Sequence, residues 1–70
     1  MNMKYFELKT EYIQLNSLLK LIGWVESGGE ANCAISEGQV MRNGTIETQK
    51  RKKIIKGDVI VFAGQTIGIK

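Results

Sequence analysis

Seventy residues, 43% of them hydrophobic, with ten cations against seven acids and no histidine, make one small domain, because a chain of this size buries only about 60% of the surface its unfolded form exposes. No apolar stretch reaches the ~18 residues of a membrane-spanning helix, and Met1 to Lys9 lacks the apolar centre of a secretion signal. The one cysteine, Cys33, cannot close an internal disulfide, which fits a reducing cytoplasm. The net charge of +3 is unevenly spread: residues 1–37 hold three lysines against five glutamates, whereas residues 38–70 hold seven cations against Glu47 and Asp58. A localised positive field points to a polyanionic partner, of which nucleic acid is the commonest. The basic run has no amphipathic helix with bulky apolar residues behind it, which argues against a membrane surface.

Met3 to Leu8 reads as a short opening strand with Tyr5, Phe6 and Leu8 as its apolar contacts. From Leu15 the period changes. Leu15, Leu18, Leu19 and Ile22 fall at helical spacing, with Asn16 as the expected N-cap and Gly23 as the stop. A second helix is announced by Ser27 and Glu30, the S-x-x-E capping box in which each side chain satisfies a backbone amide near the other. Its apolar stripe, Ala31, Ala34 and Ile35, is narrow enough for the two helices to pack closely, and Gly38 ends it. Asn43-Gly44 is the signal of a type I′ hairpin, whose two turn residues both need positive φ. With Arg42 and Thr45 flanking that turn, Met41 faces Ile46 and Val40 faces Glu47. Gly57-Asp58 turns the chain into the strand Val59 to Phe62, and Gly64-Gln65 leads to a last strand, Thr66 to Ile69.

The run Lys50-Arg51-Lys52-Lys53 is the leading functional candidate. Four adjacent cations repel one another, and holding them together makes sense where phosphates neutralise them. The plainer reading is a solvated connecting loop. Lys20 and Asn32 belong to the polar sides of their helices. Arg42, next to the hairpin turn, suits a phosphate contact or stacking on an unpaired base, and equally an exposed strand-end cation. Trp24 reads as a core aromatic, with base stacking as the alternative. Cys33 reads as a small buried hydrophobe beside the alanines. Ser27-Gly28-Gly29 exposes amides at a helix start, but Glu30 opposes an anion there, so a structural turn is the favoured reading. Catalysis has little support, since the chain has no histidine, no carboxylate pair at working spacing, no metal-ligand spacing and no G-K-[ST] phosphate loop. No cofactor or small-molecule substrate is indicated.

Taken in order, Leu15, Leu18, Leu19, Lys20, Gly23, Ser27-Gly28-Gly29-Glu30-Ala31, Ile35, Glu37-Gly38, Val40, Asn43-Gly44, Glu47-Thr48 and Gly57-Asp58 form a pattern. It resembles the RNA-binding domain named after small-subunit ribosomal protein number four, the alpha-L motif, and most closely its small stand-alone bacterial members of the YbcJ/YaaA type. That resemblance implies a helix pair beside a small sheet, with RNA on a basic surface to which both contribute. It raises Lys20 and Asn32 from ordinary surface residues to candidate contacts. The chain departs from the larger relatives at Gly28, Asn32 and Gln49, where they often carry cations, and Arg42 and Met41 exchange the family's usual apolar and basic positions.

The combined expectation is an α+β domain over residues 1–70, with two short packed helices against a small antiparallel sheet and a core motif at 15–62. It is a cytoplasmic, non-enzymatic module for structured RNA, ribosomal RNA or an assembly intermediate by family analogy, contacting it through Lys20, Asn32, Arg42 and Lys50, Arg51, Lys52 and Lys53. The alternatives are a DNA-binding helix-turn-helix protein, which would call for more groove-reading residues on the second helix, and a module that meets an acidic protein.

Overall fold

The computed structural model describes residues 4–70, so the Met3 end of the expected first strand lies outside the described residues. Along the chain run β1 (Lys4–Phe6), β2 (Ile13–Gln14), α1 (Leu15–Leu21), α2 (Gly28–Ser36), β3 (Val40–Arg42), β4 (Thr45–Ile46), β5 (Lys53–Ile54), β6 (Val59–Phe62) and β7 (Gln65–Ile69). Five strands form one sheet in the order β1-β7-β6-β3-β4, and β2 pairs with β5 in a second, two-stranded sheet. The pairings are antiparallel except at one edge, where β1 lies parallel to β7 with Lys4 opposite Ile67 and Phe6 opposite Ile69.

The leucine spacing behaves as expected. Leu15, Leu18 and Leu19 of α1 are fully buried and meet Ala31, Ala34 and Ile35 of α2, so the small residues of α2 let the helices close on one another. Val40, Ile54, Ile60, Ile67 and Ile69 close the core from the strands, joined by Leu8 and Val25. Trp24 packs against this core partly buried, its ring centroid 6.3 Å from that of Phe62, so the core reading holds for it. Leu8, Ile67 and Ile69 lie outside the 15–62 motif and still complete its core.

The start of α2 is as expected, whereas that of α1 is not. In α1 the expected cap is displaced. Its N-cap is Gln14, not Asn16, and no side chain caps it. Its first amides are satisfied from far along the chain, as Leu15 N donates to the carbonyl of Lys52 at 2.9 Å and Asn16 N to that of Lys50 at 3.0 Å. In α2, Ser27 is the N-cap and its Oγ accepts from Glu30 N at 3.1 Å. The return bond reaches one residue further back than a standard box, from Glu26 N to Glu30 Oε1 at 2.9 Å. Gly23 and Gly38 follow the two helices with φ of +81° and +76°.

The Asn43-Gly44 turn has φ of 53° and 85°, and Met41 faces Ile46 across it as expected. A second two-residue turn sits one position earlier than the sequence suggests, at Ala63-Gly64 rather than Gly64-Gln65, with φ of 52° and 77° and with Phe62 opposite Gln65. Alanine is a poor marker for such a turn because its Cβ disfavours positive φ by roughly 1–2 kcal/mol. The register of β6 on β7 imposes the conformation instead. Cys33 is a further correction. It is exposed, not buried, and its thiol donates to Glu37 Oε2 at 3.3 Å. The Glu37 carboxylate, by that hydrogen bond and by its charge, raises the thiol's pKa, opposite to the shift that activates a thiolate.

Candidate functional site

The basic run is not a free loop. Its first half turns on itself through Lys52 N to Gln49 O at 3.2 Å, the Lys50 and Lys52 carbonyls receive the first amides of α1, and Lys53 pairs with Gln14 in the small sheet. Backbone groups carry all of these contacts. The side chains of Lys50, Arg51 and Lys53 stay exposed and that of Lys52 is half-buried. Cations that would otherwise spread apart are thus held on one backbone-bonded segment at the head of α1. Lys53 Nζ lies 5.0 Å from the centroid of the Tyr12 ring, within cation–π range.

Asn16 links this segment to α2. Its backbone is bonded to Lys50, and its Nδ2 donates to Asn32 Oδ1 at 3.0 Å. The side chain expected to cap α1 therefore bridges the two helices, its Oδ1 accepting only from Ser17 N at 2.8 Å. Lys20 stands one turn along α1 from Asn16, on the same face, and is exposed. Lys50 and Asn32 are thus both bonded to Asn16, with Lys20 one turn further along α1. Asn16 is the member that the sequence reading missed as a surface residue, and its only sequence signal, a polar residue at a helix start, pointed to a cap. Tyr12 was missed as well, since nothing local ties it to Lys53.

Arg42 belongs to a different cluster. Its Nε and Nη2 each donate to the Asp58 carboxylate at 3.2 Å, and the pair is half-buried on the arginine side and buried on the aspartate side. Arg42, expected as an RNA contact or else as an exposed strand-end cation, is thus half-buried and ion-paired. Asp58 also accepts from Asn43 Nδ2 at 3.1 Å and from Ile55 N at 2.9 Å, while Asn43 Oδ1 accepts from Val59 N at 2.8 Å. Burial pushes the Asp58 pKa up, but the Ile55 amide, the Asn43 amide and the Arg42 guanidinium outweigh it and hold the carboxyl below its ordinary value. This network fastens the first hairpin to the turn before β6. Among the described residues, no helix is long and apolar enough to cross a membrane.

Comparison with known proteins agrees with this architecture. The S4 domain family matches residues 6–70. YbcJ of Escherichia coli (strain K12) is 48% identical over 61 residues, 87% of each chain. The probable ribosome maturation protein RlbA of Bacillus subtilis (strain 168) is 35% identical over 57 residues, 81% of this chain and 80% of the other. The solution structure of E. coli YbcJ, described as revealing an alpha-L motif involved in RNA binding, superposes with a TM-score of 0.73 at 47% identity, covering 99% of this chain and 89% of that one. The helix pair on a mostly antiparallel sheet is thus the framework of a known domain, and this chain belongs to the S4 domain family with the alpha-L fold.

Proposed function

We propose that this protein is a cytoplasmic, non-enzymatic RNA-binding module that acts as one unit over residues 1–70 and docks structured RNA, ribosomal RNA or a ribosome-assembly intermediate, on the surface built from Lys50–Lys53, Asn16, Asn32 and Lys20. The observation that carries this reading is the clamp of the basic run on α1. Its Lys50 and Lys52 carbonyls are spent on the Asn16 and Leu15 amides while the side chains of Lys50, Arg51 and Lys53 are exposed. A segment held in this way pays little ordering entropy when phosphates arrive, and phosphate neutralisation offsets the mutual repulsion of its charges. The Asn16–Asn32 bridge beside it offers amide groups for ribose or base edges. The relatives support the same direction: the YbcJ alpha-L motif is described as involved in RNA binding, and RlbA carries ribosome maturation in its name. Arg42 is assigned to holding Asp58 and the hairpin, with RNA contact left to the other cations.

The test is salt dependence. Affinity for a structured ribosomal RNA fragment is measured across a salt series for wild type and for the variant with Lys50, Arg51, Lys52 and Lys53 all changed to alanine. If each neutralises one phosphate, the slope of log K against log salt flattens by about 3 units, at about 0.7 per contact for single strands. Lys20→Ala flattens it by less than one. A folded quadruple variant with wild-type affinity and slope would remove the segment from the site.

A further inference from the structure

We propose that a second feature of the same face, the cleft beside Tyr12, takes one unpaired nucleotide of the bound RNA; this rests on the RNA-binding reading and adds base recognition to it. The cleft is shallow and open, about 660 Å³, and is lined by Lys9, Thr10, Glu11, Ile55 and Lys56. Tyr12 stands at its edge. The pairing of Ile13 with Ile54 in the β2–β5 ladder brings Tyr12 into register with Ile55. Both side chains are exposed, Tyr12 at 41% and Ile55 at 47%. Two large apolar groups kept in solvent at one edge of a small domain are costly to hydrate, and together they offer a slot of the kind a planar base fills.

The charges around the slot select for a nucleotide over a generic apolar ligand. Lys9 and Lys56 both line the cleft, and Lys53, the last cation of the clamped run, sits over the Tyr12 ring. A backbone arriving from the Lys50–Lys53 segment would therefore meet further cations at the cleft. Glu11 repels a phosphate but accepts hydrogen bonds from the exocyclic amine or ring N–H of a base. Thr10 Oγ1 donates to the Tyr12 carbonyl at 2.8 Å and holds the turn that carries Tyr12 in place. A paired base cannot enter, because its face is already stacked and its edge already bonded. The occupant is an unpaired nucleotide, its base against Tyr12 and Ile55 and its phosphates on Lys9, Lys53 and Lys56.

The experiment compares a hairpin RNA carrying a single-stranded loop with a blunt duplex of the same stem, each titrated over a salt series with wild type, Tyr12→Ala, Tyr12→Leu and Tyr12→Phe. Loss of one base–aromatic stack weakens hairpin binding by Tyr12→Ala and Tyr12→Leu by about tenfold. Duplex binding stays unchanged, and Tyr12→Phe keeps wild-type affinity because the ring is retained. The salt slope does not move in any of the three, since no cation is removed, which separates this effect from that of the Lys50–Lys53 variant. Tyr12→Leu preserves apolar bulk, so a loss shared by both non-aromatic variants reports the ring and not a folding defect. Equal hairpin affinity for wild type and Tyr12→Leu would overturn the cleft proposal while leaving RNA binding in place. Failure of wild type to bind either RNA would overturn both readings.

Discussion

The Lys50–Lys53 segment and the Arg42–Asp58 cluster are both charged parts of the second half of the chain, and the fold treats them in opposite ways. In the first, backbone carbonyls do the structural work and the side-chain charges are left outside. In the second, the charges themselves do it: Asp58 is 4% exposed and collects donors from Arg42, Asn43 and Ile55. A count of cations therefore overstates the charge available to a partner. What matters is whether the group that anchors a residue is its amide or its head group. Arg42 contributes to the net charge and little to the outer field, while the four residues of the basic run contribute to both.

This contrast predicts a hierarchy of stability effects. The largest comes from Asp58→Ala, which leaves the Ile55 amide, the Asn43 amide and the Arg42 guanidinium without their acceptor. Orphaning part-buried donors and a half-buried cation costs about 1–3 kcal/mol, read as a lower urea midpoint at unchanged slope. A loss under about 0.5 kcal/mol would mean that water replaces the carboxylate and that the cluster is ornamental.

A smaller effect follows from pH. The folded pKa of Asp58 is lowered, so its contribution is fully present above the unfolded value near 3.9 and is lost as pH falls through the folded value. Thermal stability should decline on acidification below about pH 4. Asp58→Asn, less stable than wild type at neutral pH, should decline less steeply over that window. Parallel acid profiles for the two proteins would assign the acid sensitivity to other carboxylates.

The smallest effect belongs to the basic run. Changing Lys50, Arg51, Lys52 and Lys53 to alanine leaves every backbone bond of the clamp available and relieves like-charge repulsion, so the unfolding free energy should shift by no more than about 1 kcal/mol. Hydrogen exchange at the Leu15 and Asn16 amides should keep its protection. If those amides become exchange-labile, the side chains are holding the clamp, and the distinction between the two regions fails.

Several elements were legible from the chain alone because each is decided within a few residues. Ser27 finds Glu30 three positions on, Asn43-Gly44 holds a turn by its own backbone preferences, and Leu15, Leu18 and Leu19 share a helix face by spacing alone. Together with the ordered pattern of matches they were enough for the fold family and for the basic run as the leading candidate. Tertiary structure decided the rest, because the partners lie far apart in the sequence. The amides of α1 are capped by carbonyls of Lys50 and Lys52, Asn16 is turned from cap to bridge by Asn32, Arg42 is claimed by Asp58, and β1 is placed parallel to β7 at the edge of the sheet. Cys33 was misplaced for a related reason: its helix turns it away from the narrow stripe of Ala31, Ala34 and Ile35. Propensity and spacing set which elements form. Which charges remain free once those elements meet is set by hydrogen-bond donors and acceptors finding each other across the fold.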